Sequence, residues 1–444
     1  MSALAIMGGT VVDESGERPG HVLIEDGVVV AAGPGLEVPA GWRVLDAGGC
    51  MVSPGLVDLH THLRQPGAEE AETVESGSRA AAAGGFTAVV AMPNTDPPID
   101  SAAVARQVLG LGEGALCRVA VAGAITVGRA GERLAPMGEM AALGVRLFTD
   151  DGTGVQDAAV MRRALEYAAG LGLILGQHCE VEALAAGGAM HEGAWSSRLG
   201  VPGIPAEAEE TMVARDIALA RLTGGRVHFL HLSTARSLAL VAAAKAEGLA
   251  VTAEVTPHHL SLTDGELFGY DTLFKVNPPL RPATDVAALR RACAEGVVDA
   301  VATDHAPHPP EAKDAPLDVA PPGMLGLETA LSVTLSALGP GAESDGVAVP
   351  AGMVLRDVLG LLSWRPARLV GLDPGAGGDQ GGPVEAGSAA NLCVFDPAAT
   401  WEVEAMRSAS RSRNTPWAGR RLTGRVRHTV CRGEAVVVDG EAQR

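Results

Sequence analysis

Residues 56–62 read LVDLHTH, and the rest of the chain is best understood from this stretch outward. Its apolar residues mark a short buried strand, and two histidines stand two positions apart at its end. In a strand, residues i and i+2 face the same way, so the imidazoles of His60 and His62 can reach one ion. The same alternation predicts that Asp58 shares their face. Val57 and Leu59 are expected to point oppositely, towards covering helices.

Seven further apolar runs follow, most separated by Ala-rich helical stretches. They are FTAVVAMPN (86–94), CRVAVAGAIT (117–126), VRLFTDD (145–151), LILGQHCE (173–180), RVHFLHLS (226–233), AVTAEVTPHH (250–259) and VDAVATDHAPH (298–308). Eight strands with helices between most of them predict an α/β fold, a (β/α)8 TIM barrel over residues 53–370. In such a barrel the C-terminal strand ends carry the active site. Five of the eight runs end in a residue able to bind metal: His60 and His62, Asp150-Asp151, His178, His231, and Asp304. Imidazoles and carboxylates delivered to one rim predict a metal centre, because buried charges need partners.

His228 and His231 have opposite parity, so only one is expected to look into the barrel, and the strand-end position selects His231. His21, His191, His228 and His428 fall outside the rim pattern and are expected to be surface or hydrogen-bonded core residues. His258 and His259 lie at a rim without a partner at strand spacing, as candidates for orienting neighbouring ligands.

Both chain ends have a different texture. LAIMGGTVV, HVLIEDGVVVAAG and WRVLDAGGCMV near the start, and NLCVFD and VRHTVCRGEAVVVDG near the end, are short strands between Gly-containing turns. The Gly-rich stretch GLDPGAGGDQGGPVEAGSAA (371–390) reads as a linker. Residues 1–52 and 371–444 are therefore expected to build one small β-sandwich.

Of the 444 residues, 47% are hydrophobic but only 3% aromatic, so the core must be filled by Ala, Val, Leu and Ile. The net charge of −19 argues against a nucleic-acid or anionic-membrane partner held by a basic field. An anionic substrate would need a locally positive site. The six cysteines are scattered without a close pair, which suits reduced thiols better than a disulfide framework. Cys179 follows His178, but that neighbour does not make it a ligand. No basic, then apolar, leader pattern opens the chain. The longest mainly apolar run, around residues 80–93, is broken by Gly84-Gly85 and too short to span a bilayer, so a cytoplasmic location is expected.

PGLVDLHTHLRQPG, AMPNTDPP, FTDDGTGVQ, QHCE, HLST, TPHHL, VNPPLR and ATDHAPH together resemble bacterial dihydroorotase of the amidohydrolase superfamily, class I type. The resemblance spans the barrel and the flanking β segments. It implies reversible cyclisation of N-carbamoyl-L-aspartate to L-dihydroorotate and water, the third step of pyrimidine biosynthesis. It also implies two zinc ions per chain: one held by His60, His62 and Asp304, one by His178 and His231, with Asp151 bridging. His62, Arg64, Asn94, Asn277 and His308 match the family's substrate-binding positions, and Pro322 and Gly323 occupy another. Asp304 is the implied catalytic residue, moving a proton between the attacking water and the ring nitrogen. Arg64 offers a planar fork to the substrate carboxylate. Asn94 and His308 are expected to complete a locally positive pocket. Relatives further imply a homodimer or an association with aspartate transcarbamoylase.

Many binuclear amidohydrolases bridge their metals with a carbamylated lysine at the end of strand four. This chain has only Lys245, Lys275 and Lys313, none in FTDDG, so a carboxylate must take that place. The choice of Asp151 over Asp150 comes from the resemblance. Two departures stand out: Gln65 where relatives carry Glu, and Pro322 where a Phe precedes Gly323. Contacts there are expected from the backbone, and Pro322 has no N–H to offer. The stretch 308–326 is expected to form a loop over the site. The competing readings are another cyclic amidohydrolase, of hydantoinase or allantoinase type, and a non-catalytic scaffold for aspartate transcarbamoylase. Manganese or cobalt could replace zinc.

Overall fold

Each of the eight apolar runs contains a strand in the computed structural model, which describes residues 3–342 and 352–443. Residues 1–2, 343–351 and 444 of the three expected segments lie outside those described. The strands are β1 (Leu56–Thr61), β2 (Phe86–Ala91), β3 (Arg118–Val121), β4 (Leu147–Thr149), β5 (Ile174–Gln177), β6 (Arg226–Phe229), β7 (Val251–Val255) and β8 (Ala300–Val301). β1 to β3 pair in one parallel sheet and β4 to β8 in another. Parallel bridges Gly123↔Phe148 and Thr61↔His305 join the two into a closed ring.

The helices between strands begin where the sequence supplies caps. Thr73, Ser101, Asp157 and Thr234 each accept a backbone N–H at the start of the following helix. Side chains such as Phe86, Val89, Phe148, Leu175, Phe229 and Val255 face outward into the core shared with these helices.

Val57 and Leu59 do not join that outer core. They cluster with Ala88, Val90, Ala122, Leu147, Ile174, Ala300 and Ala302. Side chains from so many strands of a closed ring can meet only in its interior, so Val57 and Leu59 point inward. Asp58 instead accepts from the Thr303 N–H (2.8 Å) and the Thr303 Oγ1 (2.6 Å), strapping β1 to the end of β8. The expected alternation fails because the β1–β2 register shifts between Asp58 and Thr61. That irregularity re-phases the strand, so His60 and His62 still face inward above Leu59.

Both chain ends enter one nine-stranded sheet. Met51–Pro54 pairs parallel with Ala3–Asp13 and antiparallel with Leu392–Glu402, joining the first and last parts of the chain. Ile6, Val22, Ile24, Val52, Leu392 and Val394 form its own buried cluster. All six cysteines are free and buried. Among the described residues, no helix is long and apolar enough to cross a membrane.

Candidate metal centre

The strands supply the scaffold, but most chemistry-bearing residues sit just beyond the last ladder bonds. Arg64, His231 and Asp304 have φ of 61°, 31° and 48°, so the backbone turns out of the sheet where these side chains are presented. His60, His62 and Asp151 form one group whose ligand atoms lie within 4.8 Å of each other, and Asp151, His178 and His231 form a second. Asp151 is common to both. Its Oδ1 faces His60 Nε2 at 3.4 Å, His178 Nδ1 at 3.6 Å and His231 Nε2 at 3.7 Å, while its Oδ2 faces His62 Nε2 at 3.6 Å. Asp304 Oδ1 adds contacts of 3.0 Å to His62 Nε2 and 3.5 Å to His60 Nε2.

Two features fit this cluster to a cation. His60 Nε2 and Asp151 Oδ1 are buried with no hydrogen-bond partner among the described residues, which is costly unless something else satisfies them. His178 Nδ1 and His231 Nε2 face each other at 2.9 Å, as two lone pairs converging on one point would. The electrostatics agree. Burial opposes charge on His60, yet Asp151 and Asp304 beside it push its pKa well above the usual histidine value. Burial also opposes ionisation of Asp151, but His60, His178 and His231 hold it well below the carboxylate range. The cluster thus favours anionic carboxylates against a positive centre. Oxygen and imidazole donors suit a divalent first-row metal.

Asp150 is not available to such an ion. Its carboxylate accepts from the N–H groups of Ile125 and Thr126 and from the Thr126 hydroxyl, tying the end of β4 to the loop after β3. Cys179 Sγ lies against Gln177 O, away from the imidazoles.

His228 and His231 do not divide between the two faces as alternation predicts. Both reach the interior, because β6 ends at Phe229 and His231 follows in a left-handed conformation. His228 Nδ1 meets Thr252 Oγ1 at 2.9 Å and its Nε2 meets Glu254 Oε2 at 3.0 Å. Glu254 is a candidate site residue outside the set expected from the sequence. It is fully buried, and its Oε1 lies 2.9 Å from His60 Nδ1. That contact places the proton of His60 on Nδ1 and leaves Nε2 free for the centre. The signal was present: a carboxylate inside the apolar run AVTAEVT, on the same face as Thr252. Glu254→Gln is expected to weaken metal binding by about 10–100-fold, the range for such outer partners. Competition with a chromophoric chelator measures this, and an unchanged affinity would reduce Glu254 to a space-filling role.

The remaining site residues surround the cluster. Asn94 Oδ1 accepts from His62 Nδ1 at 2.9 Å. Arg64 is bound through Nε to Pro307 O at 3.2 Å, and among the described residues it pairs with no carboxylate. Asn277 Oδ1 and His258 Nε2 are buried without hydrogen-bond partners among the described residues. His259 links Thr256 Oγ1 to Pro278 O, next to Asn277. His308 Nε2 donates to Pro322 O at 2.9 Å. Burial, with Arg64 and Lys313 nearby, pulls its pKa down to about 3, so His308 is neutral and adds no positive charge to the pocket. The Gly323 N–H is already given to Lys275 O at 2.9 Å. A glycine is required there: φ is 135°, and a Cβ would stand 2.7 Å from Ala306 Cβ and 2.8 Å from the His308 ring. Gln65 Oε1 accepts the Val74 N–H and so supports the start of a helix.

The sequence profile of the Dihydro-orotase-like family matches residues 49–237. Dihydroorotase of Anaeromyxobacter dehalogenans (strain 2CP-C) is 49% identical over 99% of this chain and 99% of its own. Dihydroorotase of Streptomyces coelicolor is also 49% identical, over 99% of this chain and 100% of its own. Among solved structures, L-hydantoinase (dihydropyrimidinase) from Arthrobacter aurescens superposes with a TM-score of 0.86 at 26% identity, covering 100% of this chain and 98% of that one. The fold is thus the barrel shared by cyclic-amide hydrolases, and the chain belongs to the dihydroorotase family.

Proposed function

We propose that the centre interconverts N-carbamoyl-L-aspartate and L-dihydroorotate, the ring-closing step of pyrimidine biosynthesis, with two zinc ions bound. The observation that carries this reading is Asp151 shared between two groups of imidazoles at the end of β4. His60, His62 and Asp304 would hold one ion, His178 and His231 the other, and Asp151 both. Metal bound there would supply Lewis acidity towards the ring carbonyl and would lower the pKa of water from about 15.7 towards about 7.

The chain's own groups do the rest. In ring opening, Asp304 takes a proton from the attacking water and gives it to the leaving ring nitrogen; in ring closure it removes that proton from the carbamoyl nitrogen. Arg64, which pairs with no carboxylate among the described residues, offers its fork to the substrate carboxylate. Asn94 keeps the Nε2 of His62 turned towards Asp304. The unpartnered Oδ1 of Asn277 suits a substrate N–H. Gly323 and Pro322 contribute by setting the position of His308. The sandwich arrangement of the terminal sheet, the division at residues 52 and 370, a homodimer, an association with aspartate transcarbamoylase and a cytoplasmic location belong to the same reading.

The likeness to L-hydantoinase favours a second reading, a hydrolase of neutral cyclic amides. Against it stand Arg64 and the absence of any of the three lysines from the end of β4. Ring opening of L-dihydroorotate by zinc-loaded protein, beside hydantoin and allantoin, decides between them. Selective turnover of dihydroorotate is expected. Preference for hydantoin would support the second reading, and no turnover of any with metal bound would support a scaffold.

A further inference from the structure

Two of the chain's three lysines, Lys275 and Lys313, are buried beside the segment that carries His308, Pro322 and Gly323. Among the described residues, neither forms an ion pair with a carboxylate. Lys313 Nζ donates to the carbonyls of Pro321 (2.9 Å), Gly323 (3.1 Å) and Lys275 (3.4 Å). Lys275 Nζ donates to Leu317 O (2.7 Å) and Asp318 O (3.3 Å). Asn414 of the C-terminal segment also donates to Ala306 O (2.9 Å) and Gly323 O (3.2 Å), and its Oδ1 accepts the His308 N–H (3.1 Å).

The loop expected over the site is therefore stapled in place. A neutral amide suffices to hold such carbonyls, as Asn414 demonstrates, whereas an ammonium buried without an anion is expensive. The carbonyl dipoles offset part of that cost but leave the charge uncancelled. Its field reaches the pocket: Lys313, with Arg64, is among the influences that hold His308 neutral. In a chain of net charge −19, this is the local positive field that an anionic substrate needs.

We propose that Lys313 is a positioning and specificity-determining residue: its buried ammonium fixes the carbonyls of Pro321 and Gly323 behind His308 and, with Arg64, supplies the positive charge that holds the substrate carboxylate. This rests on the reading that Arg64 and His308 line the substrate pocket.

The test is steady-state kinetics on L-dihydroorotate with metal-loaded wild type, K313M, K313R and R64M, with metal content and melting temperature measured alongside. K313M is expected to raise KM about tenfold or more with kcat within about threefold and metal content unchanged, the signature of lost binding. K313R should recover most of that loss. A second measurement does not depend on K313M folding. Burial and the neighbouring Lys275 lower the pKa of Lys313 to about 8, with Asp271 opposing, so wild-type KM should climb as pH rises past that value. In K313R that climb should vanish, because arginine stays charged. A folded K313M with unchanged KM, a loss confined to kcat, or the same alkaline climb in K313R would each overturn the proposal. A raised KM in R64M beside a normal K313M overturns the role of Lys313 alone. Absence of dihydroorotate turnover by wild type would overturn the underlying reading instead.

Discussion

Asp304→Asn is expected to lower kcat for dihydroorotate ring opening by about 10²–10⁴-fold, the usual worth of a positioned acid–base group, while most of the bound metal is retained. Asparagine has nearly the same shape and keeps one oxygen near His60 and His62, the two imidazoles that Asp304 Oδ1 contacts at 3.5 and 3.0 Å. What it loses is the ability to accept and return a proton. The folded environment favours the ionised carboxylate: burial opposes its charge, but His60, His62 and His231 outweigh burial and depress its pKa far below the ordinary value. The proton-accepting form is thus present across the neutral range. Metal content by atomic emission, read beside kcat, separates the two roles, and unchanged turnover in a metal-replete variant would remove Asp304 from the chemistry.

Asp151→Ala should have the larger effect on the centre itself. Both oxygens of Asp151 face imidazoles, Oδ1 towards His60, His178 and His231 and Oδ2 towards His62. Removing it leaves four imidazoles around a lost anion, so at least one of two metal equivalents should be lost on dialysis. Turnover should fall by about 10³-fold or more, since a Lewis-acid contribution is worth several kcal/mol at ~1.4 kcal/mol per tenfold. Asp150→Asn is the control. Among the described residues the Asp150 carboxylate bonds only to Ile125 and Thr126, so its loss should cost about 1–3 kcal/mol of stability, seen as a lower melting temperature, with metal retained. Two metal equivalents persisting in Asp151→Ala would refute the shared-ligand reading, and metal loss in Asp150→Asn would reverse the assignment of the two aspartates.

Much of this is legible in the sequence alone. Eight apolar runs with polar ends were enough for the barrel, because strand ends are where such folds place chemistry, and His60, His62, Asp151, His178, His231 and Asp304 do converge. Less legible was everything that depends on exact side-chain phase. Simple alternation put Asp58 beside His60 and set His228 against His231, and both inferences fail at a register shift and a left-handed turn. Glu254 was overlooked because a single carboxylate in an apolar run has no partner visible in sequence; His60 lies 194 positions away.

What the sequence by itself determined, then, is the order of the strands and the type of ligand at each strand end, since hydrophobic periodicity and residue chemistry are local properties. Only the tertiary structure decided that the Asp150 carboxylate is spent on Ile125 and Thr126, which nitrogen of His60 is free, and that Lys313 and Asn414 grip the same carbonyl of Gly323 from residues 101 positions apart in the chain. The physical reason is that these outcomes depend on distances of about 3 Å between segments remote in sequence, where hydrogen bonding and Coulomb forces act through space rather than along the chain.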